Sequence, residues 1–345
     1  MTISLDPITF TLPDHLSATS PPEARGLARD EVRLMVADGG TLTHARFREL
    51  PSFLRPGDLV VVNNSAMIDA AVDAEYGGEA AVLHFSTSLD EGGWAVELRD
   101  PSGVPWHGPA VDFGARVRLP GGHTAILHAP WLPGAYRLWV AEVADIDVPE
   151  LLARYGRPIS YSYVTERWSS SYYRTVFGRE PGSAEMPSAG RPFTTELVTE
   201  LVAGGVGLAP ITLHTGVSSP EGGEPPSPER FSVPEMTARL VNATHAEGGR
   251  VVAVGTTVTR ALETATGTDG LVRAAAGWTD LVLDGTRAAR VVDGLITGWH
   301  APGASHLHLL ESVAGADVVR EVYRVAIESG YLWHEFGDSA LLFRG

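Results

Sequence analysis

Residues 251–265 of this 345-residue chain read VVAVGTTVTRALETA, and this stretch decides the class of fold. Its first four residues predict a buried strand, Gly255 predicts a tight turn, and a helix carrying Arg260 and Glu263 follows from Thr256. A helix that begins directly after a strand offers free backbone N–H groups, and a glycine there lets a ligand approach the backbone. The same spacing also fits a plain helix cap and turn. In either case, a strand running into a helix indicates an α/β fold.

The segments on either side extend this alternation of strands and helices. Upstream, TTELVTELVAGG (194–205) predicts a helix capped by Thr194, and VGLAPITLH (206–214) predicts a buried strand. Downstream, VVDGLIT (291–297) predicts a strand, and residues 306–330 predict one or two helices. In sheets of this kind, ligands bind at the carboxyl ends of the strands.

Residues 66–144 differ in character from the rest of the chain. Short alternating runs, such as AAVLHFS (80–86) and WAVELRD (94–100), are separated by Gly, Pro and Asp. This spacing predicts a small antiparallel barrel or sandwich. We therefore expect a larger α/β domain, residues 1–65 and 145–345, interrupted by a small all-β, barrel-like domain at residues 66–144.

The composition excludes several kinds of chemistry. The chain has no Cys and no Lys, so its 26 basic residues are all Arg. Thiol nucleophiles, zinc–thiolate sites, Schiff-base lysines and P-loop lysines are thereby excluded. The net charge of −16 argues against nonspecific binding of nucleic acid but leaves room for a local arginine patch. Without a long apolar run or a signal-like start, the chain is expected to be cytoplasmic and not to bind a membrane.

Two histidines stand at the ends of predicted strands. His214 ends ITLH and His300 follows LITGW, so each is a candidate general acid or base, or else a hydrogen-bonded structural group. His300, His306 and His308 together suggest a metal site. Because helix neighbours two residues apart face different sides, we expect no metal there.

An aromatic stretch with interleaved arginines follows the predicted barrel. Its rings could stack on a base or on adenine, or they could pack between domains. The stretch comprises Tyr161, Tyr163, Trp168, Tyr172, Tyr173 and Phe177.

Taken together, the segments resemble the S-adenosylmethionine:tRNA ribosyltransferase-isomerases of queuosine biosynthesis. The similar stretches occur in the same order and nearly span the chain. They include RPGDLVVVNNS (55–65), EPGSAEMPSAGRPFTTELV (180–198), GVGLAPITLHTG (205–216), RVVAVGTTVTRALETA (250–265), AAGWTDLVL (275–283), VVDGLITGWHAPG (291–303) and FGDSALLF (336–343).

The resemblance implies a two-domain enzyme that uses S-adenosylmethionine as a co-substrate. Such an enzyme moves the ribosyl group of this donor to the aminomethyl group of 7-aminomethyl-7-deazaguanine in tRNA and rearranges it, releasing adenine and methionine. The sulfonium acidifies the adjacent 5′ protons, so the protein needs a base there and an acid near adenine.

The resemblance also implies roles for particular residues. His214, Glu229 and His300 correspond to catalytic positions, with Glu229 in a predicted mobile loop, residues 217–230, whose action as a lid the sequence leaves open. The implied positions for binding S-adenosylmethionine are Asn63, Ser188, Gly190, Gly255, Thr256, Thr257, Arg260, Glu263, Trp278, Asp280 and Asp338.

The chain departs from the family pattern at several positions. Asn64, Ser65 and Ala66 stand where the family continues Asp-Thr-Arg, a second arginine is absent near Ala71, and Arg191 replaces a leucine. Because arginine is the favoured partner of phosphate, these losses leave the tRNA partner open. The alternatives are an enzyme of the same fold that uses S-adenosylmethionine on a small molecule, and a ligand- or RNA-binding homologue without catalysis.

Overall fold

The computed structural model describes residues 10–132, 135–161, 163–164, 166–217, 226–284 and 287–345. The helices in chain order are α1 (Val148–Tyr155), α2 (Thr195–Ala203), α3 (Glu235–Ala246), α4 (Thr256–Thr264), α5 (His306–Ala314) and α6 (Ala316–Glu328). The strands are β1 (Arg33–Asp38), β2 (Thr41–Arg46), β3 (Leu59–Asn63), β4 (Ser65–Met67), β5 (Ala71–Tyr76), β6 (Glu79–Ser88), β7 (Trp94–Arg99), β8 (Ala115–Arg118), β9 (Thr124–Leu132), β10 (Ala135–Val143), β11 (Glu180–Ser183), β12 (Gly207–Leu213), β13 (Glu229–Val233), β14 (Val251–Val254), β15 (Ala275–Thr279), β16 (Gly294–Gly298) and β17 (Ser339–Phe343).

The main sheet has the strand order β15-β13-β12-β3-β14-β16-β17-β1-β2. Its centre, β12-β3-β14-β16, is parallel, so the carboxyl ends of these strands share one edge. Both faces are covered, as the apolar run of β3 requires. Leu59 and Val61 pack into one hydrophobic core and Val60 and Val62 into another, because successive side chains point to opposite faces.

The strands β10-β7-β6-β5-β8-β9 form a closed antiparallel barrel between Ala71 and Val143. The barrel has its own core, which includes Leu83, Phe85 and Val96 and is extended by residues of α1. The predicted α/β fold with a barrel-like all-β unit is confirmed. The domain boundaries at 66 and 144 stay a prediction.

Local signals set the starts of the helices. The Thr194 hydroxyl accepts a hydrogen bond from the Leu197 N–H (3.1 Å), which caps α2 as predicted. Gly255 precedes α4 with φ 92° and ψ 159°, a conformation that is essentially restricted to glycine. None of the helices in the ranges given above is long and apolar enough to cross a lipid bilayer.

Candidate active site

A cleft of about 410 Å³ opens at the carboxyl edge of the parallel strands. Residues 215–217 enter it after β12, residues 255–257 after β14, and residues 299–306 after β16. The barrel contributes Arg137, which donates a hydrogen bond to Glu97 over 2.9 Å. The volume falls in the range of small-molecule sites, and the position is the one expected for an α/β sheet.

A buried ion pair between Glu229 and Arg260 forms one wall of the cleft. One Glu229 oxygen accepts a hydrogen bond from an Arg260 guanidinium N–H, and the other accepts one from the Gly216 N–H over 3.2 Å. Arg260 also donates to the carbonyls of Thr279 and Leu281, each over 3.1 Å, so its guanidinium is fixed. Burial raises the pKa of Glu229, and the Arg260 charge opposes that rise.

The position of Glu229 differs from the expected mobile loop. Glu229 is the first residue of β13 and lies opposite Thr279 of β15. A β-ladder therefore holds its backbone, and the loop assignment is wrong for this residue. Residues 218–225 of the predicted loop lie outside the described residues.

His300 enters the cleft after β16 and is held on several sides. Its Nε2 is 3.0 Å from the Thr297 hydroxyl, its N–H donates to the Tyr323 hydroxyl (3.2 Å), and its carbonyl accepts a hydrogen bond from the Trp333 indole (3.0 Å). Its ring stacks on that of His306. Burial lowers the pKa of His300 well below its usual range, and the neighbouring imidazoles of His306 and His334 lower it further.

His306, at the start of α5, lines the same cleft. Burial and the charge of Arg260 lower the pKa of His306 to about 4, so both stacked rings are neutral near pH 7. His308 contacts Glu311 instead (3.0 Å). Across the described ranges, no group of three or more His, Asp or Glu side chains is arranged to hold a metal ion.

His214 is not among the residues that line the cleft. Its Nδ1 is 2.8 Å from the Ser65 hydroxyl, which is itself 2.6 Å from the Ser183 hydroxyl. A methyl group on Gly182 would lie 2.6 Å from the imidazole, so Gly182 packs directly against this half-buried ring. Of the three side chains expected to meet in one pocket, Glu229 and His300 line the cleft and His214 does not.

Five of the predicted binding positions line the cleft: Ser188, Gly255, Thr256, Thr257 and Arg260. Ser188 begins a short 3₁₀ helix after β11, and the two threonines occupy the first turn of α4. This side of the cleft therefore presents hydroxyl groups next to the free N–H groups of a helix N-terminus. Such groups suit ribose hydroxyls and a carboxylate.

Asn63 and Glu263 lie outside the cleft and join backbone segments. Asn63 accepts hydrogen bonds from the N–H groups of Ser65 and Leu213, both over 3.0 Å, and thereby ties β3 to β12. The Glu263 carboxylate is fully buried and accepts from the N–H groups of Arg290 (2.6 Å) and Val291 (2.9 Å). The polar atoms of both side chains bind backbone groups of the protein, so neither residue belongs to the proposed binding set.

The other four predicted positions are also absent from the lining. The Trp278 indole donates to Asp90 of the β6–β7 turn (2.6 Å), which joins β15 to the barrel. Asp338 accepts from the N–H groups of Leu332 and Arg33, Asp280 is exposed, and Gly190 is buried at the end of its 3₁₀ helix.

One part of the cleft was not assigned from the sequence. Tyr161, Tyr163 and Tyr173 of the aromatic stretch line it, together with His334 and Glu335. The sequence predicts either base stacking or packing between domains for this stretch, whereas residues 334 and 335 carry no local signal except their position just before the FGDSALLF segment.

The geometry defines the protein class as an α/β enzyme that has helices on both faces of its main sheet, a β-barrel, and a cleft at the carboxyl edge of the parallel strands. A sequence profile described as "Queuosine biosynthesis protein" matches residues 5–342. The chain belongs to this family.

Named relatives match over nearly their whole length. The chain is 32% identical to the S-adenosylmethionine:tRNA ribosyltransferase-isomerase of Moorella thermoacetica, with 98% of this chain and 99% of the relative covered. It is 34% identical to the protein of that name from Methylobacterium sp., with coverages of 99% and 98%. The crystal structure of S-adenosylmethionine tRNA ribosyltransferase from Thermotoga maritima matches at 29% identity with a TM-score of 0.55, covering 97% of this chain and 99% of that one.

Proposed function

We propose that this chain is an S-adenosylmethionine-dependent ribosyltransferase-isomerase whose acceptor is 7-aminomethyl-7-deazaguanine in tRNA. One observation carries the proposal: a single cleft brings the Glu229–Arg260 pair together with the stacked imidazoles of His300 and His306. The full-length similarity to relatives of that name supports the same activity.

Glu229 is the proposed base. Arg260 favours its charged form, while burial makes the carboxylate a stronger base than one in water. A carboxylate in this setting can remove a proton from the 5′ carbon, whose acidity comes from the adjacent sulfonium. The ion pair also fixes the position of the base, because Arg260 is anchored to backbone carbonyls.

The stacked histidines are the proposed acid. A neutral imidazole of low pKa takes up a proton only transiently, and the imidazolium that forms is a strong acid that passes the proton on. In the proposed cycle, the proton that Glu229 removes from the 5′ carbon is relayed through these rings to a ring nitrogen of adenine as the glycosidic bond breaks, and Glu229 returns to its carboxylate form. Ser188, Thr256 and Thr257 are the proposed contacts for the ribose hydroxyls and the methionyl group.

Three exposed arginines support tRNA as the acceptor. Arg167, Arg174 and Arg179 are exposed on the chain segment that also contributes Tyr163 and Tyr173 to the cleft. Exposed guanidinium groups on a segment that reaches the cleft suit phosphate contacts that position an RNA.

The test is mass spectrometry of S-adenosylmethionine incubated with the protein, with and without tRNA that carries the modified base. We expect adenine and methionine to be released, and the tRNA to gain mass, only when that tRNA is present. Release without tRNA but with a small amine would favour the small-molecule alternative. Absence of any release, together with no change in melting temperature at high S-adenosylmethionine concentration, would contradict the proposal.

The variant Glu229→Gln supplies the internal comparison. Loss of a positioned base is expected to slow release of adenine roughly 10²–10⁴-fold. Glu235→Gln is the matched control, because Glu235 is an exposed residue at the start of α3 with 74% of its side chain accessible. This control should retain the wild-type rate.

A further inference from the structure

Tyr163, His334 and Glu335 form a corner of the cleft that the proton-transfer steps do not use. The rings of Tyr163 and His334 stack with 4.0 Å between centroids and 13° between planes. The Tyr163 hydroxyl donates a hydrogen bond to Glu335 Oε2 over 2.6 Å. The corner therefore combines a flat aromatic surface with an oriented carboxylate.

The arrangement includes a strained backbone position that the surrounding contacts must hold. His334 has φ 72°, and it is the only non-glycine residue with a positive φ in the described part of the chain. A conformation of this kind costs about 1 kcal/mol or more and is found mainly at functional sites. Here it places His334 against Tyr163 while Glu335, the next residue, lines the cleft.

A second tyrosine–carboxylate pair lies beside the first. Tyr161 stacks on Tyr163 with 5.9 Å between ring centroids, and its hydroxyl donates to Glu185. Both carboxylates line the cleft, so this end places hydrogen-bond acceptors next to aromatic rings. It suits a planar ligand that is rich in hydrogen-bond donors.

The corner adjoins the proposed acid. The His334 N–H donates to the carbonyl of Trp299, the residue before His300 (3.4 Å). A ligand stacked here would share the cleft with the imidazoles and with the threonine hydroxyls at the start of α4.

We infer that this corner is the acceptor subsite, and that Glu335 selects a guanine-type base by accepting hydrogen bonds from its ring N–H and its 2-amino group. The inference rests on the proposed function. A carboxylate has about four lone-pair sites, so the bond from Tyr163 leaves capacity for both donors. Adenine presents an acceptor at the corresponding ring nitrogen and therefore matches an ionised carboxylate poorly. Stacking on aromatic side chains with readout of the Watson–Crick edge is how enzymes hold an extruded base.

The test compares binding of two stem–loop RNAs that differ at the acceptor position, one with guanine and one with hypoxanthine, which lacks the 2-amino group. The wild-type protein should bind the guanine RNA roughly 10-fold or more tightly than the hypoxanthine RNA. Glu335→Gln should bring this ratio close to one and lower kcat/KM for the tRNA roughly 10–100-fold, while the Kd for S-adenosylmethionine stays unchanged.

Two further variants make the result decisive. Tyr163→Phe keeps the ring but removes the hydroxyl that orients Glu335, so it should lower the guanine preference in part, even if Glu335→Gln folds poorly. Glu166→Gln changes an exposed residue of the same segment and should keep the full ratio. An unchanged ratio in folded Glu335→Gln overturns the inference. So does a weaker Kd for S-adenosylmethionine, which would assign the corner to the adenine of the donor.

The outcome is separable from that of the proposed function. Release of adenine tests the reaction, whereas the guanine-to-hypoxanthine ratio is a binding measurement that needs no turnover. An active enzyme without base preference would refute the subsite and leave the reaction standing. A clear base preference without release of adenine would support the subsite and refute the proposed reaction.

Discussion

The imidazole rings of His300 and His306 lie parallel, with 4.5 Å between their centroids and 1° between their planes. Two positive charges at this separation would repel strongly in a buried cleft, so the stack favours two neutral rings. The nearby guanidinium of Arg260 acts in the same direction on His306.

This relationship predicts how stability depends on pH. A histidine with a pKa of about 4 when folded and about 6.5 when unfolded binds fewer protons in the folded state between those values. Its contribution is therefore complete above about pH 6.5 and is lost as the pH falls towards 4. The difference in unfolding free energy between wild type and His306→Asn should shrink by up to about 1.4 kcal/mol per pH unit in this window.

Urea denaturation of both proteins at several pH values measures that difference. Acidic groups with raised pKa values, such as Glu229 and Glu335, act in the opposite direction. Because they are present in both proteins, they cancel in the comparison. A difference that does not vary between pH 7 and pH 4.5 would contradict the neutral stack.

Substitution of the two strand-end histidines should give different results. His300→Asn is expected to slow release of adenine roughly 10²–10⁴-fold, because it removes a proposed acid from the cleft. His214→Asn should keep most of the activity and lose about 1 kcal/mol of stability, because it weakens a hydrogen bond to Ser65. Turnover assays paired with thermal melting separate these effects. Equal kinetic losses in the two folded variants would return His214 to the proposed catalytic set.

Removal of Arg260 should destabilise the chain strongly. Arg260→Ala would leave Glu229 without its charged partner and remove one hydrogen-bond donor from each of three backbone carbonyls, at a cost of about 3–5 kcal/mol. Arg273→Ala is the matched control, since its ion pair with Asp269 is exposed. Denaturant midpoints measure both effects. Similar midpoints for the two variants would contradict the expectation that the Glu229–Arg260 pair contributes more to stability than an exposed ion pair.

Gly255→Ala tests the turn before α4. The alanine would have to adopt φ 92°, and its Cβ would lie 3.4 Å from the Ala189 Cβ. We therefore expect the free energy of unfolding to fall by roughly 1–3 kcal/mol. Gly298→Ala provides the comparison, because no atom lies within 4 Å of its added Cβ and its φ is unexceptional. Melting temperatures should fall for the first variant and change little for the second.

The sequence predicted the fold better than the details of the site. Period-two runs located the barrel strands, and the change from strand to helix at Gly255 located the parallel edge of the sheet. It was harder to predict which side chains at a strand end face the cleft. His214 and Thr215 are adjacent, yet only Thr215 lines the cleft, because neighbouring side chains point to different sides. Glu263 and Asn63 matched family motifs, yet their polar atoms bind backbone groups.

No local sequence pattern predicts the hydrogen bond between Tyr163 and Glu335. The two residues are 172 positions apart in the chain and meet only through the tertiary fold. The aromatic stretch signalled that rings were available for stacking, but it gave no indication of which carboxylate would face them. Such pairs are visible only after the loop following α6 has been placed against the segment following α1.

The contact between Trp278 and Asp90 has an evolutionary consequence. It joins β15 of the main sheet to a turn of the barrel, and Arg230 forms an ion pair with the same carboxylate. The cleft is lined from both units, whereas Trp278 and Asp90 are not part of its lining. Substitutions at this junction can therefore alter the width of the cleft while every residue that touches substrate is preserved. Related proteins could diverge in acceptor preference by this route, with their active-site residues unchanged.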